Sequence, residues 1–282
     1  MSFPLKFPAD APLLTITHPK PALWVLEMHN GDDNRLTHHF IQKGLLPALD
    51  AVERDWRRNV KPGPPTKDHR GKEGGRGALI IVGKRSQQKF FSNGLDFDNL
   101  MKQHNNRVDF IPGLIGAYNP LLRRLLTYPL PVIAALNGHT FAAGMIMALC
   151  CDYRVMVDGK TRNAWMTMNE IHFGATLPPT FPALFRTKYP DGHLHRKVFL
   201  EGHRFTPSEA LEAGLVDHIV SGNTDAVLAK AEELASSLEH LAQLGGYGVM
   251  KYEMYRPILE LSLKDLHITN IVADDEAAKA RL

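Results

Sequence analysis

The sequence is short of cysteine, of charge of one sign and of long apolar runs, and each shortage removes a class of protein. Its 282 residues hold two cysteines, the neighbours Cys150 and Cys151. Adjacent residues rarely reach the geometry of an ordinary disulfide, so no disulfide framework is expected and a reducing compartment is the expected setting. The 33 basic and 30 acidic side chains leave a formal charge of +3, too small an imbalance to drive binding to nucleic acid or to an anionic membrane surface. A membrane span needs about 20 consecutive apolar residues; the nearest approach, residues 131–151, is interrupted by Asn137, Gly138, His139 and Thr140. Residues 1–12 carry Pro4, Pro8 and Pro12 and no continuous apolar segment, which excludes a signal peptide there. The 14 histidines form no His-Glu-x-x-His pattern and join no Cys/His ligand array, so no metal is expected; His38-His39 and His193-x-His195 read as solvent-facing or hydrogen-bonded side chains. Asn93-Gly94-Leu95 lacks the spacing of a dinucleotide fingerprint, and Gly83-Lys84 lacks the preceding glycines of a phosphate loop.

What remains is a chain of folded, soluble composition, long enough to bury a sizeable core without staples. Short runs rich in Val and Ile, at Leu23–Met28, Ala78–Val82, Val132–Leu136, Tyr153–Val157 and 216–220, read as buried strands. Helix-like stretches separate them, which predicts an α/β arrangement with no internal repeat. Residues 37–57 repeat Leu45, Leu46, Leu49, Val52 and Trp56 at helical spacing. Residues 61–77 mix Pro62, Pro64, Pro65 and five glycines with charged side chains, a composition that cannot offset its ordering entropy and reads as a mobile surface loop. Thr206, Pro207 and Glu209 spell a capping box with proline at the first helical position, and Gly214 supplies the stop. Residues 225–244 place Val227, Leu228, Ala231, Leu234, Leu238 and Leu241 on one helical face, and Pro257 breaks a further helical region that begins near Tyr247.

Three segments hold residues suited to chemistry. Phe90-Phe91-Ser92-Asn93-Gly94-Leu95-Asp96 follows a strand and contains a glycine able to turn the chain and expose a backbone N–H. Residues 131–152 run from a strand through Asn137-Gly138 and Ala142-Ala143-Gly144 into an all-apolar helix. Small residues at a helix start let a ligand approach free N–H groups at the positive end of the dipole; taken alone, the same pattern also fits a tight turn into a buried helix. In Trp165-Met166-Thr167-Met168-Asn169-Glu170-Ile171-His172-Phe173-Gly174 a single carboxylate sits among apolar and aromatic side chains. An apolar setting disfavours its charge and suits it to acid/base work near neutrality, although this window alone fits a surface or capping glutamate equally well.

In order and content these segments resemble the crotonase superfamily of enoyl-CoA hydratases and isomerases, over residues 14–220. The stretches Ala148-Leu149-Cys150-Cys151-Asp152-Tyr153-Arg154, Phe205-Thr206-Pro207-Ser208-Glu209-Ala210 and Gly214-Leu215-Val216-Asp217 are similar to later junctions of that family. The resemblance implies a ββα spiral core over residues 1–204, a helical oligomerisation region over 205–282, and a homotrimer or homohexamer. It also implies an oxyanion hole made by the backbone N–H groups of Leu95 and Ala143, with Ser92, Asn93, Gly94, Gly144 and Ile146 against the substrate. The family's hydratases use two glutamates; the first position is matched here by Ile146 and the second by Glu170. Residues 175–179, Ala-Thr-Leu-Pro-Pro, also replace a glycine-rich stretch of the hydratases.

Hydration calls for a held water and a matched proton transfer shared by paired carboxylates, whereas moving a double bond needs one base. Asn169-Glu170 and the hydrophobic stretch to Leu177 are similar to the Δ3,Δ2-enoyl-CoA isomerase branch, with Glu170 as sole acid/base. Coenzyme A enters as part of the substrate, with no separate cofactor, and Lys84, Arg85 and Lys89 are candidates for its phosphates or else mark a solvated strand end. Two other readings stay open: another acyl-CoA hydratase, hydrolase or lyase of this fold, and a non-catalytic acyl-CoA binding protein. Ala280-Arg281-Leu282 has the small-basic-leucine form of a peroxisomal address read by an import receptor, with a cytoplasmic location as the alternative.

Overall fold

Five strands pair in parallel where the sequence alternates Val- and Ile-rich runs with amphipathic stretches, because only a sheet covered on both faces can bury strands that are apolar on both sides. The computed structural model describes residues 2–58, 75–97, 99, 111–264 and 271–282. The strands are β1 (Leu5–Phe7), β2 (Leu14–Lys20), β3 (Leu23–Met28), β4 (Ala78–Val82), β5 (Phe90–Ser92), β6 (Val132–Leu136), β7 (His139–Phe141), β8 (Tyr153–Val157), β9 (Met166–Thr167) and β10 (His218–Val220). Seven of them form one sheet in the order β1-β2-β3-β4-β6-β8-β10. The first three are antiparallel, and the run from β3 to β10 is parallel. Every residue of β4 and β6 is buried. The small sheet, β5-β7-β9, is parallel throughout.

The helices are α1 (Leu46–Arg57), α2 (Ile111–Leu126), α3 (Ala143–Cys150), α4 (Thr180–Lys188), α5 (Gly192–Phe199), α6 (Pro207–Glu212), α7 (Thr224–Leu238), α8 (Tyr247–Met254), α9 (Arg256–Leu261) and α10 (Ile271–Arg281). The predicted helix over 37–57 starts as a π-helical segment, Phe40–Leu45, and continues as α1, burying Leu49, Val52 and Trp56 on one face. The capping box at α6 is present in full: the Thr206 hydroxyl accepts the Glu209 N–H, and the Glu209 carboxylate accepts the Thr206 N–H at 2.8 Å. Thr206→Ala removes the first of these bonds and is expected to lower unfolding stability by about 1 kcal/mol, read by denaturant titration, with activity unchanged.

Three expectations change. Residues 61–74 lie outside the described residues, but the end of that stretch is not a surface loop: Gly75 and Gly77 are buried. Trp56 Nε1 donates to the Gly75 carbonyl at 2.9 Å, and a Cβ at Gly77 would collide with Leu130, Trp24 and Trp56. The division at residue 204 cuts through one packing unit, because β10 completes the large sheet beside β8 and α7 lies against β4, β6 and β8. Leu241 is exposed, since the α-helical repeat stops at Leu238 and gives way to the 3-10 turn Glu239–Ala242. The break expected from Pro257 is found at Tyr255, between α8 and α9, with Pro257 in the first turn of α9; Val249, Met250 and Met254 of α8 are exposed. No helix among the described residues is long and apolar enough to cross a membrane.

Candidate active site

The three parallel strands of the small sheet end on the same side, and each passes directly into one of the segments singled out above. After β5 comes Asn93-Gly94-Leu95, after β7 comes Ala142 and α3, and after β9 comes Met168-Asn169-Glu170. Ligands collect outside the carboxyl ends of parallel strands because loops and helix starts converge there.

The first two segments are in close contact. Gly94 holds φ +79°, and a Cβ placed on it would stand 2.7 Å from Ala142 Cβ and 3.2 Å from the Ala143 nitrogen. A Cβ on Gly144 would meet the Ser92 backbone and hydroxyl at 2.8 Å. Glycine at both positions therefore lets the Leu95 loop and the first turn of α3 touch through their backbones. Ala142 itself takes φ +52°, a conformation that costs an alanine energy and is held by its N–H bonding to the Thr167 carbonyl at 2.8 Å. The result is two amides, Leu95 N–H and Ala143 N–H, with no acceptor among the described residues. The second also lies at the positive end of a wholly buried helix.

Glu170 opens the 3-10 turn Glu170–Phe173, which Gly174 closes in the left-handed region while the Ala175 N–H returns to the Glu170 carbonyl at 3.1 Å. The turn is tied down from outside by Gly202, whose carbonyl accepts the Thr167 hydroxyl and lies 3.1 Å from His172 Nε2. Glu170 Oε2 is buried with no hydrogen-bond partner among the described residues. Burial pushes this carboxyl up to about 7, opposed by its own backbone N–H, with no cation among the described residues holding it down. A carboxyl of that kind exchanges protons near neutrality.

Of the other expected residues, Ser92 serves the scaffold: its hydroxyl donates to the Asn34 carbonyl at 2.8 Å and accepts the Gly94 N–H at 3.2 Å. Asn93 is likewise engaged, by backbone and side chain, with Asp33. Ile146 is fully buried one turn into α3. Lys84 lies 3.9 Å from Asp32 and Arg85 pairs with Glu27 at 3.2 Å. Lys89 precedes β5 and so sits at the amino-terminal end of the small sheet, away from the loops that gather Leu95, Ala143 and Glu170.

The sequence reading missed the bed under the Leu95 loop. Asn34, buried at φ +50°, donates to the Phe91 carbonyl at 3.1 Å, and Arg35 donates to the Leu95 carbonyl at 2.9 Å while pairing with Asp33. It also missed Tyr118, which is buried beside α3. Asp33-Asn34-Arg35 carries only the local signal of a turn; its partners lie about 60 positions further along the chain.

Comparison with known proteins places the chain in a family. Residues 73–257 match the family described as enoyl-CoA hydratase/isomerase. Enoyl-CoA delta isomerase 3 of Arabidopsis thaliana is 33% identical over 163 residues, 58% of this chain and 66% of that protein. A carnitinyl-CoA dehydratase of Citrobacter koseri is 31% identical over 186 residues, 66% of each chain. The match thus spans about two thirds of the length of these relatives. Among solved structures, an enoyl-CoA hydratase from Mycobacterium marinum superposes with a TM-score of 0.70 at 26% identity, covering 89% of this chain and 94% of that one.

Proposed function

The chain belongs to the enoyl-CoA hydratase/isomerase family, and we propose that within it this protein is a Δ3,Δ2-enoyl-CoA isomerase acting in fatty-acid oxidation. The observation that carries this reading is the solitary carboxylate: Glu170 is raised by burial alone, and Ile146 stands where the resemblance places the hydratases' first glutamate. Glu170 as carboxylate removes a proton from C2 of a 3-enoyl thioester. Charge then moves onto the thioester oxygen, where the N–H groups of Leu95 and Ala143 stabilise the dienolate. The protonated Glu170 returns the proton at C4, so the double bond moves from C3–C4 to C2–C3 with no net change in atoms. Coenzyme A takes part only as the handle of the substrate, and the chemistry needs no separate cofactor.

The names of the Arabidopsis isomerases support this choice over dehydration, and two of them include the word peroxisomal, in keeping with a peroxisomal site for this chain. The proposal extends to a homotrimer or homohexamer, supported by the exposed Val249, Met250 and Met254 of α8 and checked by light scattering. The deciding experiment supplies the purified protein with 3-enoyl-CoA and, separately, with 2-enoyl-CoA in water. Conjugated 2-enoyl-CoA formed from the first, with no 3-hydroxyacyl-CoA from the second, is the expected result. Hydration of the second without isomerisation of the first would replace the isomerase by a hydratase.

A further inference from the structure

Beyond the three groups that meet the substrate, the site leans on a side chain from outside the small sheet. Tyr118, on α2, is 1% exposed, and its hydroxyl donates to the Ala143 carbonyl at 2.6 Å. Its ring packs edge-on against Phe181 of α4, with centroids 5.3 Å apart and planes at 61°. The neighbouring residues repeat the link, as the Thr180 hydroxyl donates to Asn119 Oδ1 at 3.2 Å. Burial holds the Tyr118 phenol well above its ordinary range, and Cys150, Cys151 and the Glu170 carboxylate add to the same direction. One side chain thus touches the first residue of the oxyanion helix, leans on the helix that follows the Glu170 turn, and lies within the electrostatic reach of Glu170.

We propose that Tyr118 is the positioning residue of the oxyanion site, its hydroxyl clamping the Ala143 carbonyl and thereby aiming the Ala143 N–H at the thioester oxygen. The inference rests on the isomerase reading for its effect on turnover, but the clamp itself concerns any thioester carbonyl bound at this site. In a helix the N–H and C=O of one residue point in opposite directions along the axis and flank a single φ, ψ pair that the helical bonds hold, so restraining the carbonyl restrains the amide. The fixture matters here because Ala142, which carries the helix into the site, is held at a positive φ from which an alanine tends to relax. An oxyanion donor is useful only when it is already aligned with the developing charge. Phenylalanine at 118 would keep the ring packing and leave this turn free to drift.

The test uses a cinnamoyl-CoA thioester, whose absorption band moves to longer wavelength as its carbonyl is polarised, together with steady-state turnover of 3-enoyl-CoA. Tyr118→Phe is expected to bind the probe with the wild-type Kd but with a smaller red shift, and to lower kcat about tenfold with KM within about twofold. Phe181→Leu is the control for packing: it loosens the same region with the hydroxyl in place and is expected to keep the full red shift at a comparable loss of Tm. A wild-type red shift and kcat in Tyr118→Phe, or a red-shift loss that follows Tm alike in both variants, would overturn the proposal. Should Tyr118→Phe fail to fold, 3-fluorotyrosine at position 118 keeps the ring and donates more strongly. A larger red shift supports the clamp, and an unchanged one overturns it. A wild-type protein that polarises the probe but does not isomerise 3-enoyl-CoA removes the isomerase reading and leaves the clamp standing, whereas absence of any wild-type red shift overturns the clamp.

Discussion

Glu170→Gln is expected to reduce kcat for 3-enoyl-CoA by about 10³-fold or more while leaving thioester binding intact, because general acid–base catalysis contributes about 10²–10⁴ and the proposed step assigns it to Glu170 alone. The amide is nearly isosteric and cannot take the C2 proton. The same variant is expected to be more stable than wild type above neutrality. A carboxyl raised from 4.5 to about 7 on folding binds its proton more tightly in the folded state. Its contribution is therefore fully present below pH 4.5 and is lost as pH rises to about 7, a difference of about 3 kcal/mol. Urea titrations at pH 4 and pH 8 check the sign: wild type and variant should be similar at the lower pH, and the variant more stable at the higher. In wild type, kcat/KM should rise with pH to a midpoint near 7, since only the ionised carboxyl takes a proton. Equal stability of the two proteins at pH 8 would mean that the carboxyl is solvated and not the buried base described here. Appreciable turnover by the variant would remove Glu170 from the chemistry.

Gly94→Ala is expected to lower kcat by about 10²–10³-fold, the cost of losing one oxyanion donor. Two effects combine at this residue. An alanine at φ +79° is strained, and its Cβ would lie 2.7 Å from Ala142 Cβ and 2.9 Å from the Phe141 carbonyl oxygen. Neither neighbour is a flexible side-chain end, so the Leu95 loop must move off α3 and take its N–H with it. Strain by itself is controlled by Gly214→Ala, at φ +69° with nothing within 4 Å of the added Cβ and at the far end of α6. That variant should lose about 1 kcal/mol of stability and no activity. If the two variants lose similar stability and both keep full turnover, the contact between the Leu95 loop and α3 is not what makes the site.

Much of this arrangement is local enough to be legible in the residues. β3, β4, β6 and β8 coincide with the Val- and Ile-rich runs, and the α6 capping box forms from two side chains within four positions. Pro257 marks a real break because proline acts on its own turn. β5 and β9 were less accessible: at three and two residues they carry too little periodicity to be read. β10 looked like one more buried run and like the start of a separate region, yet it closes the edge of the main sheet beside β8. The three chemical segments were found without their geometry, and the scaffold residues Asn34, Arg35 and Tyr118 were not found at all.

The residue sequence by itself determined the chemistry on offer: backbone amides at Gly94-Leu95 and at the start of α3, one carboxylate at Glu170, and an apolar residue at Ile146. It determined this because side-chain identity and glycine placement are properties of single positions. Only the tertiary structure decided what that carboxylate and those amides become. Burial raises Glu170 to about 7 through surroundings drawn from distant elements, and the pair of free N–H groups exists because β5, β7 and β9 end together. It also gave Ser92 and Asn93 a role as supports for the loop, since their partners Asn34 and Asp33 lie far away in the chain. Solvation and alignment are sums over neighbours in space, and those neighbours are set by packing that no local run of residues contains.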